Sequence, residues 1–183
     1  MLLEDLQRAG FPMGGEPLVA IDLADTVMLA VNPPIDLLSS ERAATAWWEL
    51  QAPRLPVGPA PSLAETRRLR AAIRHLIEAR DLDPGAIDTL NAIAAQAPAS
   101  PRLSADGLRE TRWHGGDARL AAVAGEAIAL LADSERLDLL RRCANPACSM
   151  LFLAENKRRR WCAPNVCGNR VRVARHHERH RPA

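Results

Sequence analysis

Four cysteines are the residues of this chain whose type and spacing dictate chemistry. They form two matched pairs, Cys143-x4-Cys148 and Cys162-x4-Cys167, with thirteen residues between the pairs. Thiolates are soft ligands, and zinc takes four of them in a tetrahedron at about 2.3 Å. Two cysteine pairs on either side of a short hairpin supply such a set, so one structural Zn2+ per chain is the expected cofactor. A closed four-thiolate site leaves no open position for substrate, which argues against an enzyme. Four thiols without metal and an iron–sulfur centre are the competing readings. Matched pairs in an arginine-rich, core-poor segment disfavour the first, and the closer spacings of electron-transfer patterns disfavour the second.

The elements that must position these ligands are short. Leu139 to Arg142 and Met150 to Leu153 read as two strands, with Cys143-Ala-Asn-Pro-Ala-Cys148 as the turn between them. Pro164 suits the first position of a helix, where a missing N–H costs nothing, so a helix carrying Cys167 is expected from Pro164 to about His180. Ligands at a turn and at a helix start make a treble-clef-like finger, in which backbone amides donate to sulfur and the helix dipole favours the negative site. A unit of about 40 residues needs such a cross-link to hold a fold. Trp161, adjacent to a ligand, is expected in the small core of the finger.

Dense positive charge surrounds the cysteines. Lys157, Arg158, Arg159 and Arg160 precede the second pair and Arg170 follows it, while Arg172, Arg175 and Arg179 recur at helical spacing as one stripe with His176 beside it. Arginine pairs with phosphate through two parallel hydrogen bonds and also reads guanine edges. Two arginines would balance a tetrathiolate of net charge −2, which leaves about nine basic residues for a partner. The candidate nucleic-acid contacts are therefore Arg158, Arg159, Arg160, Arg170, Arg172, Arg175 and Arg179. Asn169 and Arg170 suit a bracing role at the zinc site equally well, and both roles stay open at this point.

The charge is divided along the chain. Residues 1–140 hold 13 of the 24 basic and 20 of the 22 acidic residues, leaving 11 against 2 beyond them. A body of about −7 thus carries an appendage of about +9, the pattern of a basic binding module on an acidic domain. Residues 1–139 and 140–183 are the two expected domains. No basic segment followed by an apolar stretch opens the chain and no apolar run approaches the roughly 18 residues of a membrane span, so a cytoplasmic protein with no membrane partner is expected. In a reducing compartment disulfides are disfavoured, which returns the cysteines to metal.

The first domain reads as mostly helical with a few short strands, giving an α+β protein overall. Leu2, Leu3 and Leu6 suggest a short helix, and the alternation of Val19, Ile21 and Leu23 suggests a strand over Pro17 to Leu23. Ser39 or Ser40 is placed to cap a helix carrying Trp47, Trp48 and Leu50. Ser62-Leu-Ala-Glu65 is a capping box that opens a helix to about Arg80, with Leu69, Ile73, Leu76 and Ile77 inward and Arg67, Arg68, Arg70 and Arg74 as a solvated face. Asp83-Pro84 starts another helix, Asp106-Gly107 marks a hairpin, and Asp117 caps a last helix with Leu120, Val123, Ala124, Ala127, Ile128 and Leu131 inward. No catalytic constellation or phosphate loop appears, and the separate His75 and His114 read as structural residues.

The string Arg159-Arg160-Trp161-Cys162 followed by Cys167-Gly168-Asn169-Arg170 resembles the CGNR zinc-finger family. The region before it, including Ala24-Asp-Thr26, resembles the partner domain ABATE, found in bacterial proteins described as stress-induced transcription regulators. Ala154 departs from the acidic residue usual two positions after the phenylalanine, and the stretch from Phe152 to Trp161 is shortened. The resemblance implies a zinc-dependent DNA-binding regulator, with an N-terminal domain that senses a small-molecule or protein signal or mediates assembly. An RNA-binding protein and a non-enzymatic adaptor whose finger meets an acidic protein surface are the alternatives.

Overall fold

The computed structural model describes Phe11, residues 16–154, Asn156 and residues 158–180, with the side chains of Arg175, His177, Glu178 and Arg179 outside the description. The short helix expected around Leu2 to Leu6 falls outside the described residues. The first regular element is α1, Val19–Ala24, in which all six residues are buried. Alternating apolar residues had indicated a strand there. Burial on every side removes the one-sided 3.6-residue pattern by which a helix is read, and Ala20 and Ala24 favour the helical backbone. No strand of the described structure pairs with it, and the free Ala20 N–H donates to the Glu126 carboxylate at 3.1 Å.

Two short strands follow, β1 (Val27–Met28) and β2 (Ile35–Asp36), paired antiparallel. Helix α2, Glu41–Gln51, is capped by Ser40, whose hydroxyl accepts from Ala43 N–H. It delivers Trp47 and Trp48 to the core, packed edge to face with centroids 4.9 Å apart. A single 3-10 turn at Ala52–Arg54 ends it. Helix α3, Leu63–Ala79, starts on the capping serine as expected, with Ser62 Oγ accepting from Glu65 N–H at 3.3 Å. Trp48 Nε1 donates to Thr66 Oγ1 at 2.9 Å, which ties α2 to α3 through a buried polar contact. Helix α4 (Pro84–Ala94), hairpin β3 (Ala99–Leu103) to β4 (Arg109–Trp113) and helix α5 (Ala118–Ala132) follow their capping and turn signals. Gly107 sits at φ 82°, the left-handed region the Asp106-Gly107 pair was expected to supply. A four-residue helix, α6 (Ser134–Leu137), leads into the hairpin β5 (Leu140–Arg142) and β6 (Leu151–Leu153).

Helices α1, α3, α4 and α5 enclose one apolar core. Leu140, Leu151 and Leu153 belong to that same cluster, so apolar packing continues across the expected division at Leu139. A second, smaller cluster gathers Cys143, Met150, Phe152, Cys162 and Cys167.

The arginines of α3 are not a uniform solvated face. Arg68 is exposed, whereas Arg70 and Arg74 are buried because the strand pair β1–β2 and the end of α1 cover that side of the helix. Arg70 grips Asp36 with two bonds of 2.6 and 2.8 Å, and Arg74 donates at 2.7 Å to the Ala24 carbonyl that ends α1, where the helix dipole favours a cation. Burial alone would raise the pKa of Asp36, but the hydrogen bonds and charge of Arg70 outweigh it and hold the carboxyl below its usual range. The stability from this pair is therefore fully present above the unfolded carboxylate value of about 3.9 and is lost as pH falls through the lower folded value. Asp36→Asn is expected to cost about 1–3 kcal/mol at pH 7 and to flatten the acid limb of stability against pH in denaturant titrations. An unchanged acid limb would remove the pair from the account.

Candidate metal centre

Strands β5 and β6 end where the first cysteine pair begins. Their register places Arg142 opposite Leu151, and Cys143 N–H donates to the Met150 carbonyl at 2.9 Å as the ladder's last rung. The turn between them is shaped by Asn145, a buried side chain whose Oδ1 accepts from Ala147 N–H at 3.1 Å, while Cys148 N–H returns to the Asn145 carbonyl. The second pair straddles a turn of π-helical backbone, Pro164–Gly168, that runs straight into α7, Asn169–Arg179. The Ala163 carbonyl receives the amides of Val166, Cys167 and Gly168, so Cys167 is fixed at the helix start. Ala144 N–H donates to the Arg160 carbonyl and ties the two halves together.

All four Sγ atoms lie within 4.8 Å of one another, the one such metal-ligating group among the described residues. Cys162 Sγ stands 3.7 Å from Cys148 and 3.6 Å from Cys167. A tetrahedron with zinc–sulfur bonds of about 2.3 Å has edges of about 3.8 Å, so the donor set fits Zn2+ in size and softness. Three of the four thiols are buried and Cys148 is half-buried. The Cys162 thiol hydrogen-bonds Cys148 sulfur, which pulls Cys148 down to about 5, and the same contact together with burial drives Cys162 upward. Met150 N–H supports the Cys148 sulfur and the Asn145 side chain supports that of Cys167. Zinc held by Cys143, Cys148, Cys162 and Cys167 supplies a structural cross-link between the hairpin and α7. Protein purified without added zinc is expected to carry one Zn2+ per chain by metal analysis. A value near zero, or four thiols that titrate with no metal released, contradicts this.

The residues between the ligands divide by exposure. Trp161 is half-buried in the small cluster, and its ring lies against Gly168, where an added Cβ would meet it at 3.3 Å. A side chain at the glycine of the Cys-Gly-Asn-Arg string would thus press on the tryptophan, whose ring would have to give by a few tenths of an ångström. Asn169 braces the helix start, donating to the Asn165 carbonyl at 2.7 Å and accepting from Arg172. Arg158, Arg160, Arg170 and Arg172 are exposed, and Arg160 sits 5.6 Å over the Trp161 ring. Arg159 is instead turned inward, 4.5 Å over Phe152 and bonded to the carbonyls of Leu153, Trp161 and Cys162. Arg170, Val171 and Ala174 border an open groove whose other wall is the turn Ala144 to Ala147. The side chains of Arg175 and Arg179 lie outside the described part, as does Lys157.

Three residues essential to this arrangement are absent from the candidates the sequence offered. Asn145 carried a local signal, since an Asn-Pro step inside a short turn favours a side chain bonded to the backbone two residues on. Glu16 carried none and Asp25 only that of a charge in an apolar stretch, because their partners Leu153 and Leu151 lie 137 and 126 positions away.

A tetrathiolate cluster shared by a hairpin turn and a helix start defines a zinc finger. Residues 140–180 match the CGNR zinc finger. Residues 18–134 match the ABATE family, described as a putative stress-induced transcription regulator. That match covers more than half of the chain, and the chain belongs to the ABATE family with a CGNR zinc finger at its C-terminal end. No match was found among curated proteins. Among the described residues, no helix is long and apolar enough to cross a membrane.

Proposed function

We propose that this chain is a zinc-dependent DNA-binding regulator, in which residues 140–183 contact duplex DNA and residues 1–139 sense a signal or mediate assembly. The observation that carries the reading is the exposed set Arg158, Arg160, Arg170 and Arg172 flanking the cysteine cluster on a segment of about +9. Arg158 and Arg160 approach from the loop before Cys162 and the other two from the first turn of α7, so two elements bring cations toward one zinc-fixed end. Such a surface suits a row of phosphates, and cross-linking by zinc keeps it from collapsing when the charges repel. Arg159 is not part of the proposed contact face, because its N–H groups are engaged inside the fold. Arg175 and Arg179 extend the face by helical spacing alone.

The description of the family supports a regulatory role, and stress-linked control of transcription in the cytoplasm is the form it takes here. The arrangement of hairpin, turn and helix is read as a treble clef, a frame that presents its helix to nucleic acid. Competition at fixed salt tests the partner. Duplex DNA is expected to displace a labelled duplex from the zinc-loaded chain more effectively than single-stranded RNA or an unstructured polyanion of equal charge. Preference for RNA would overturn the choice of nucleic acid, and equal displacement by all three would reduce the binding to diffuse attraction.

A further inference from the structure

Arg159 joins two parts of the finger that carry different ligands. Its guanidinium donates to the Leu153 carbonyl at 3.1 Å and to the Cys162 carbonyl at 2.6 Å, so it fastens the end of β6 to the backbone of a central zinc ligand. Its counter-charge comes from outside the finger. Glu16, 6 % exposed, accepts from Arg159 with one oxygen at 2.7 Å and from Leu153 N–H with the other at 3.1 Å. Glu16 is itself anchored in the body: its N–H donates to Asp22, and its carbonyl accepts from Arg54, which also pairs with Asp22 at 2.7 Å. At the other end of β6, both oxygens of Asp25 accept Leu151 N–H at 2.9 Å, and Ser149 Oγ accepts Leu29 N–H at 2.8 Å. The outward amides of Leu151 and Leu153 are thus taken by carboxylates of the body rather than by another strand.

We propose that Glu16, acting through Arg159, is a positioning residue of the zinc centre, so that zinc retention in the finger and the packing of α1 in the body form one coupled equilibrium. A guanidinium bonded to three carbonyls at a half-buried site requires a partner anion. Without Glu16, Arg159 turns to water and the Cys162 segment loses its tie to β6. Glu16 lies before both matched regions, 18–134 and 140–180, so the finger as a family unit does not contain it. Coupling between two sites is reciprocal. Whatever displaces Glu16 or α1 loosens the hold on zinc, and loss of zinc frees α1. This gives the N-terminal body a physical route to the finger, and it stands whether or not the finger binds DNA.

The test is zinc release from the loaded full-length chain to an excess of a colour-forming chelator. Glu16→Gln is expected to accelerate release by about tenfold, in line with the effect of losing residues that orient metal ligands. Asp83→Ala is the control, because among the described residues the hydrogen bonds of Asp83 stay within α4, whose start it caps through the Ala86 amide, and touch neither α1 nor the finger. It is expected to lower thermal stability and leave release unchanged. Arg159→Gln should accelerate release as Glu16→Gln does, and the double variant should exceed neither, since one residue acts through the other. Equal release from Glu16→Gln and the parent, equal acceleration by Asp83→Ala, or additive effects in the double variant would each overturn the proposal. If Glu16→Gln does not fold, hydrogen exchange on the parent decides: zinc removal is expected to raise exchange at Val19–Ala24, and unchanged protection there would refute the coupling.

Discussion

Cys162→Ser is expected to abolish stoichiometric zinc binding and to destabilise the body as well as the finger. Structural zinc in small four-ligand units contributes about 10–16 kcal/mol at neutral pH, and a hydroxyl in place of the central thiolate removes most of that hold. Cys162 is within 3.7 Å of two other sulfurs, so its loss disrupts more than one edge of the tetrahedron. The sequence alone predicts that the damage stops near Leu139. The packing predicts otherwise, because Leu140, Leu151 and Leu153 lie in the cluster built by α1, α3 and α5. Releasing three leucines from that cluster costs on the order of 5 kcal/mol, which for a chain of this size lowers the melting temperature by about 10–20 °C. Metal analysis and thermal melts followed by circular dichroism check both halves. Retention of one zinc contradicts the ligand assignment, and an unchanged melt of the helical body contradicts the shared core.

The second large effect concerns the exposed arginines. Replacing Arg158, Arg160, Arg170 and Arg172 together with Ala is expected to weaken duplex binding more than tenfold at moderate salt and to leave the zinc content at one per chain. Each lost phosphate contact reduces the slope of log affinity against log salt by about 0.9, so the slope should fall by up to about 3.6. A control variant lacking the exposed Arg42, Arg68, Arg102 and Arg112 of the body removes the same formal charge. It is expected to keep the parent slope. Equal losses in both variants would mean that net charge, not the finger surface, attracts DNA.

What could be read from the sequence was local. Ser40, Ser62, Asp83 and Asp117 each satisfy amides within three residues of themselves, so side-chain type and position were enough to place four helices. The cysteine pairs were legible for a similar reason, since each pair spans one turn and only β6 and a short stretch of chain separate them. Helix α1 was misread because a fully buried helix shows no polar face. Arg70 and Arg74 were misread because helical spacing shows which side of α3 faces the main core but not that β1–β2 covers another side. A usable hint did exist: Asp22 and Asp25 stand in an otherwise apolar stretch, and charges in such a setting need partners supplied by the rest of the fold. Which partners those are is a matter of tertiary structure, as with Leu151 for Asp25 and Gln51 and Arg54 for Asp22.

The most direct measurement of the central claim is a titration of a fluorescently labelled duplex with the full-length chain, zinc-loaded and zinc-stripped, at one fixed salt concentration. The zinc-loaded chain is expected to raise the anisotropy of the duplex, the stripped chain to do so only weakly, and restoring one equivalent of zinc to recover the binding. Equal binding by the loaded and stripped chains, or no binding by either, would contradict a zinc-dependent DNA contact.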